Sequence, residues 1–171
     1  MLRSFALLCL LFSGFLSTAT ANELGPEERR LVQLAESYLQ FLQNSAAGKS
    51  KEEQAIAVSV AANNLLGYFY GCNGSYTQIN EGASVIPQSA DFKQRGALVA
   101  VHMSAFFVAL QMLTEEMKAR DLAGEPVEQA IRDAKAPMSN KTSADERISA
   151  CARFMEGVIA PVEAQVGKYE E

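Results

Sequence analysis

Apolar residues recur at steps of three and four along nearly the whole chain. That is the period of one face of an α-helix, and the two-residue alternation of a half-buried strand is almost absent. Leu31, Leu34, Ala35, Tyr38, Phe41 and Leu42 make one such face. Pro26 is expected to open this first helix, where a missing N–H costs nothing, with Glu27 and Glu28 at the positive end of the helix dipole. Residues 44–49 break the pattern. Ser50 with Glu53 then has the form of a capping box, which starts a second helix expected to reach about Tyr70. Its large stripe is Val58, Ala62, Leu65 and Phe69; a second stripe, of Ser59, Asn63 and Gly67, is small and polar.

Between 71 and 89 the pattern reads as a loop of nearly twenty residues, with glycines at 71, 74 and 82 and Pro87. Loops of that length inside a compact domain are uncommon and often functional. A long third helix is expected from about residue 90 to 123, with Gly124 as its C-terminal cap. Pro126 opens a short fourth helix through Val127, Ala130, Ile131 and Ala134, and Pro137 stops it. Ser143 with Glu146 is a second capping box. Ile148, Cys151, Ala152, Met155 and Ile159 line one face of the last helix, which Pro161 kinks or ends. The fold class that follows is all-α, a single-domain bundle of four to five helices.

The N-terminus changes the picture of compartment. Arg3 precedes an apolar run from Phe5 to Leu16, and Ala19, Thr20 and Ala21 follow as an A-x-A cleavage signal. Residues 1–21 are therefore expected to be a signal peptide, cut near Ala21, and residues 22–171 to be one helical domain in the periplasm or secreted. The apolar run is too short to span a bilayer. Cys9 falls within it, which leaves Cys72 and Cys151 for an oxidising compartment, where the pair is expected to form a disulfide. A redox or reactive pair would want C-x-x-C spacing or a neighbouring base.

Charge narrows the partners. Without residues 1–21 the chain has 14 basic and 20 acidic side chains, which argues against nucleic acid and anionic membrane surfaces. From 54 to 113 the only charged residues are Glu81, Asp91, Lys93 and Arg95, and 96–113 has none. A helix apolar all round is central in a bundle or in a membrane. Residues 96–113 fall short of the roughly 20 needed to span a bilayer, and Asn63 and Asn64 would sit mid-membrane in the preceding helix. No stable membrane insertion is expected; the second and third helices are placed at the centre.

Candidate chemistry is sparse. His102, the single histidine, could ligate haem or act as a base, but C-x-x-C-H is absent and a partner such as Met155 or Met112 has no pattern behind it. The plainer expectation is a neutral core imidazole bonded to Asn63 or Ser59. Glu81 and Asp91 are the carboxylates a hydrolase would use. No metal set, cofactor motif or catalytic signature accompanies them. Tyr68, Tyr70 and Tyr76, with Glu81, are aromatic anchors beside the 71–89 loop and the candidate binding surface. The functional expectation is binding to another envelope protein, in an immunity, accessory or chaperone-like role. The alternatives are a bundle carrying a small apolar ligand or haem, or a minor envelope hydrolase.

Overall fold

The computed structural model describes residues 24–80, 90–122, 124–134, 137–138 and 143–166. Residues 1–21 and the 81–89 part of the expected loop lie outside them. The chain is all-α, with no strand among the described residues. Its elements are α1 (Pro26–Ser45), α2 (Lys51–Asn80), α3 (Ala90–Ala119), α4 (Glu125–Asp133), α5 (Ala144–Phe154), a π-helical turn (Met155–Ile159) and α6 (Ala160–Val166). At the start of α1, the N–H of Arg29 bonds the carbonyl of Gly25 at 2.9 Å, and the N–H of Gly25 bonds Oε2 of Glu28 at 2.9 Å.

Both capping boxes form. The N–H of Ser50 donates to Oε2 of Glu53 at 3.0 Å and the N–H of Glu53 to Oγ of Ser50 at 3.4 Å. Ser143 and Glu146 make the same reciprocal pair, each at 3.1 Å. The end of α3 departs from expectation. Asp121, at φ 54°, takes the left-handed position instead of Gly124. The N–H of Leu122 reaches the carbonyl of Met117 at 2.9 Å and that of Asp121 reaches Lys118 at 3.1 Å, the two bonds of a Schellman motif. Aspartate tolerates this conformation better than most side chains. Gly124 serves as the N-cap of α4 instead.

The expected 71–89 loop is corrected at its start, because α2 continues through Gly71 to Asn80. Its buried stripe of Val58, Ala62, Leu65 and Phe69 runs on through Cys72 and Tyr76 without a change of step. Two glycines weaken this stretch locally by about 1 kcal/mol each relative to alanine. Burial of Cys72 and Tyr76 offsets that. Cys72 is bonded to Cys151 with 5.5 Å between Cα atoms, and both are fully buried. One turn away on each helix, the rings of Phe69 and Phe154 meet edge to face at 5.0 Å. The bond therefore pins α2 to α5 beside the aromatic core.

α2 is the hub, packing on α3, α4 and α5. Its glycines explain how. A Cβ on Gly67 would lie 2.8 Å from Cδ of Pro137, and one on Gly71 would lie 2.6 Å from Cγ of Met138. The two glycines, one turn apart, seat the segment that leads from α4 towards α5. Propensity favours Gly71→Ala by about 1 kcal/mol, whereas overpacking against a side chain's inner atoms costs roughly 1–3 kcal/mol. Thermal unfolding of Gly71→Ala is expected to show net destabilisation of up to about 2 kcal/mol; a gain in stability would mean that Met138 does not sit there.

The last helix also differs. Buried positions run Cys151, Phe154, Ile159, Val162 and Val166, so Phe154 joins the core face, with Met155 partly buried and packed against it. The step of five from Phe154 to Ile159 is the π-turn, in which the N–H of Ala160 bonds the carbonyl of Met155. Pro161 follows directly. It has no N–H to give and would crowd the carbonyl four residues back, and the widened turn absorbs both effects without ending the helix.

Candidate functional site

Tyr38 of α1 and His102 of α3 are both fully buried, and such polar groups need partners. They find each other: the Tyr38 hydroxyl lies 2.9 Å from Nδ1 of His102. On the other side of the ring, Nε2 lies 2.8 Å from Oε1 of Glu163, on α6. An ionised carboxylate can only accept, so Nε2 carries the hydrogen. A neutral ring then has a bare Nδ1, which accepts from the tyrosine hydroxyl. The expected partners, Asn63 and Ser59, are thus corrected to Tyr38 and Glu163. With both ring nitrogens engaged, His102 offers none to a haem iron or another metal in this arrangement.

Aromatic rings surround the relay. Phe69 and Phe106 lie 5.8 and 5.4 Å from Tyr38, each steeply inclined. Burial, with the nearby Glu163 carboxylate adding to it, pushes the Tyr38 phenol above the ordinary tyrosine range. Burial likewise raises that of Tyr76. A folded-state pKa above the unfolded one contributes stability that is complete below the unfolded value, near 10, and is lost as pH climbs past it. Alkaline unfolding is therefore expected to begin near pH 10, and its dependence on pH should flatten in Tyr38→Phe. An unchanged alkaline profile in that variant would count against the buried phenol.

The remaining sequence candidates disperse. Tyr76 is buried, its ring 5.3 Å from Phe92 and its hydroxyl donating to Sδ of Met155 at 3.5 Å. Tyr68 is half-buried and stacked on Phe154 at 5.1 Å. Only Tyr70 stands out from the surface, 51% exposed, with its ring edge-on to Phe107 at 6.1 Å. The three tyrosines do not make one binding surface, because a helix sends positions 68, 70 and 76 in different directions. Asp91 is exposed and paired with Arg95 at 3.0 Å, a first-turn carboxylate of α3. Glu81 lies outside the described residues.

Concavity appears elsewhere. A groove of about 330 Å³ runs between α2, α3 and α4. Ala62 and Leu66 of α2, Leu110, Leu113 and Met117 of α3, and Val127 and Ile131 of α4 give it an apolar lining. Exposed Thr114, Lys118, Gly124 and Glu128 form its rim. The small polar stripe of α2 makes the room: Ser59 and Asn63 lie in the groove, and the Ser59 hydroxyl donates to Sδ of Met117 at 3.5 Å. A neighbouring cleft of about 320 Å³ is more polar, with Gln43, Lys51, Gln54, Glu116 and Arg120 among its lining. Its polar groups already serve one another, since Glu116 accepts from Gln43 at 3.3 Å and pairs with Arg120 at 2.7 Å. No group of three or more His, Cys, Asp or Glu side chains suited to a metal occurs among the described residues.

The groove escaped sequence reading because three helices build it. The signal available was the stripe Ser59–Asn63–Gly67, too small to fill the space beside it. For the relay, the signal was Glu163, a carboxylate next to Val162 on an apolar face. Comparison with family models, curated proteins and solved structures finds no match to this chain.

Proposed function

We propose that this chain is an exported protein of the cell envelope that works by binding another envelope protein, with the α2–α3–α4 groove as its seat. The N-terminal pattern and a structural disulfide support export. The groove carries the binding reading. Interfaces join an apolar centre, where a few anchors bury, to a polar solvated rim. Here apolar side chains of all three helices form the centre, and Thr114, Lys118 and Glu128 the rim. A groove with such a rim suits the apolar anchors of a protein partner, such as one it inhibits, assists or shields. A small apolar ligand is the second reading, favoured by the same lining.

The test is affinity capture of tagged protein from the envelope of its own host, beside Thr114→Trp. That exposed rim position can fill the groove with an indole while leaving the core intact. One partner recovered in near-stoichiometric amount with the parent chain, and lost with Thr114→Trp, is the expected result. A partner kept by the variant would move the interface off the groove. Capture of no protein, with a small molecule retained in native mass spectrometry, would shift the reading to the ligand.

A further inference from the structure

Between 96 and 113 α3 has no charged side chain, yet only about a third of its most apolar window is buried. The core takes one side of it, through Val99, His102, Ala105, Phe106, Ala109 and Leu113. On the side away from these, Lys93, Ala97, Val101, Ser104, Gln111 and Glu115 are all exposed. Val101, 49% exposed, is one of the two large apolar side chains left most open to solvent. The groove uses a third face, so this stripe is separate from the binding seat proposed above.

The order of residues along the stripe has a centre. About Ser104, Lys93 is placed symmetrically with Glu115 and Ala97 with Gln111, while the counterpart of Val101, Phe107, is half-buried and turned towards Tyr70. A helix laid antiparallel on a copy of itself, with the two-fold axis at Ser104, therefore sets each Lys93 opposite the partner copy's glutamate. A parallel pairing would oppose like charges at both ends. Lys93 makes no ion pair among the described residues, and Glu115 pairs there with the exposed Lys118, 3.1 Å away. Towards the middle the stripe is small or β-branched and uncharged, which lets two backbones approach closely. Two-fold self-association is the commonest symmetry of soluble oligomers, and each residue pair then counts twice.

We infer that the outer face of α3 is an antiparallel two-fold interface between two copies of this chain, centred on Ser104 and registered by Lys93–Glu115 pairs. Helices packed about 8–10 Å apart bring facing Cα atoms within disulfide reach. Mild oxidation of Ser104→Cys should thus link two copies rapidly. Gln111→Cys alone should link poorly, and Ala97→Cys with Gln111→Cys should link well.

Sedimentation of the purified protein across a concentration series supplies the second readout. The parent chain is expected to dimerise. Lys93→Glu and Glu115→Lys should each weaken the dimer about tenfold or more, because every dimer loses two pairs and gains two repulsions. The double reversal should recover most of the loss. These positions are exposed, so helicity by circular dichroism should not change. A monomer at every soluble concentration would overturn the inference. So would a dimer indifferent to charge reversal, or a protein recovered only in detergent, which would assign the face to lipid.

Discussion

Replacing His102 by alanine is expected to destabilise the fold by about 3–5 kcal/mol, the largest loss at any single polar position described here. Two effects add. The substitution opens a cavity between α1 and α3, and it leaves the hydroxyl of Tyr38, fully buried, without the ring nitrogen 2.9 Å away. Tyr38→Phe alone should cost about 1–3 kcal/mol, since Nδ1 then loses its donor in a dry site. Placing Tyr38→Phe in the His102→Ala background should cost far less, since the acceptor is already gone. Chemical denaturation of the four proteins in this cycle gives the coupling directly. Additivity within about 0.5 kcal/mol would show that the two side chains do not interact. Glu163→Gln separates hydrogen bonding from charge. Glu163 is 28% exposed in its side chain, and opposite a neutral imidazole an amide oxygen in the same place should keep the protein within about 1 kcal/mol of the parent. A larger loss would mean that His102 is held as a cation.

Removing the disulfide is the second large effect. Cys72 and Cys151 are 79 residues apart in sequence, and chain-entropy reasoning values the closure of a loop that long at roughly 4–5 kcal/mol, with measured bonds often giving less. Replacing both cysteines by alanine is expected to lower the unfolding temperature by about 10–15 °C, given about 2–4 °C per kcal/mol for a chain of this size. The site adds to the effect. The bond lies one turn from the Phe69–Phe154 contact on both helices, and it fixes the end of α2 whose glycines would otherwise favour fraying. Hydrogen exchange should therefore rise first in Gly71–Tyr76. Intact mass provides the simplest check, since the oxidised protein should be about 2 Da lighter than the reduced one. Two free thiols in the purified protein would remove the basis for this prediction.

The positions of the helices were legible in the sequence because local rules set them. Capping boxes at Ser50 and Ser143, Pro26 and Pro126 in first turns, and unbroken three-and-four spacing act within a few residues of themselves. The two cysteines were legible as a bond because, with Cys9 read as part of a signal peptide, they leave one pairing. Three features were not. Gly71 and Gly74 read as the start of a loop because propensity is local, whereas the contacts that keep α2 helical to Asn80 come from Cys151 and Phe92, far along the chain. A continuing stripe of Phe69, Cys72 and Tyr76 was present in the sequence, and the glycines masked it.

His102 shows the same division more sharply. Its burial followed from the apolar helix around it, but its partners lie 64 and 61 residues away, and Glu163 faces it only after the π-turn has shifted the phase of the last helix. The groove exists because α4 lies over a stripe of α2 too small to fill the space between them. Short-range steric and capping preferences write helices into a sequence. Burial, close approach of glycine to proline and methionine, and the pairing of buried polar groups arise only when distant helices meet, so tertiary structure alone decided them.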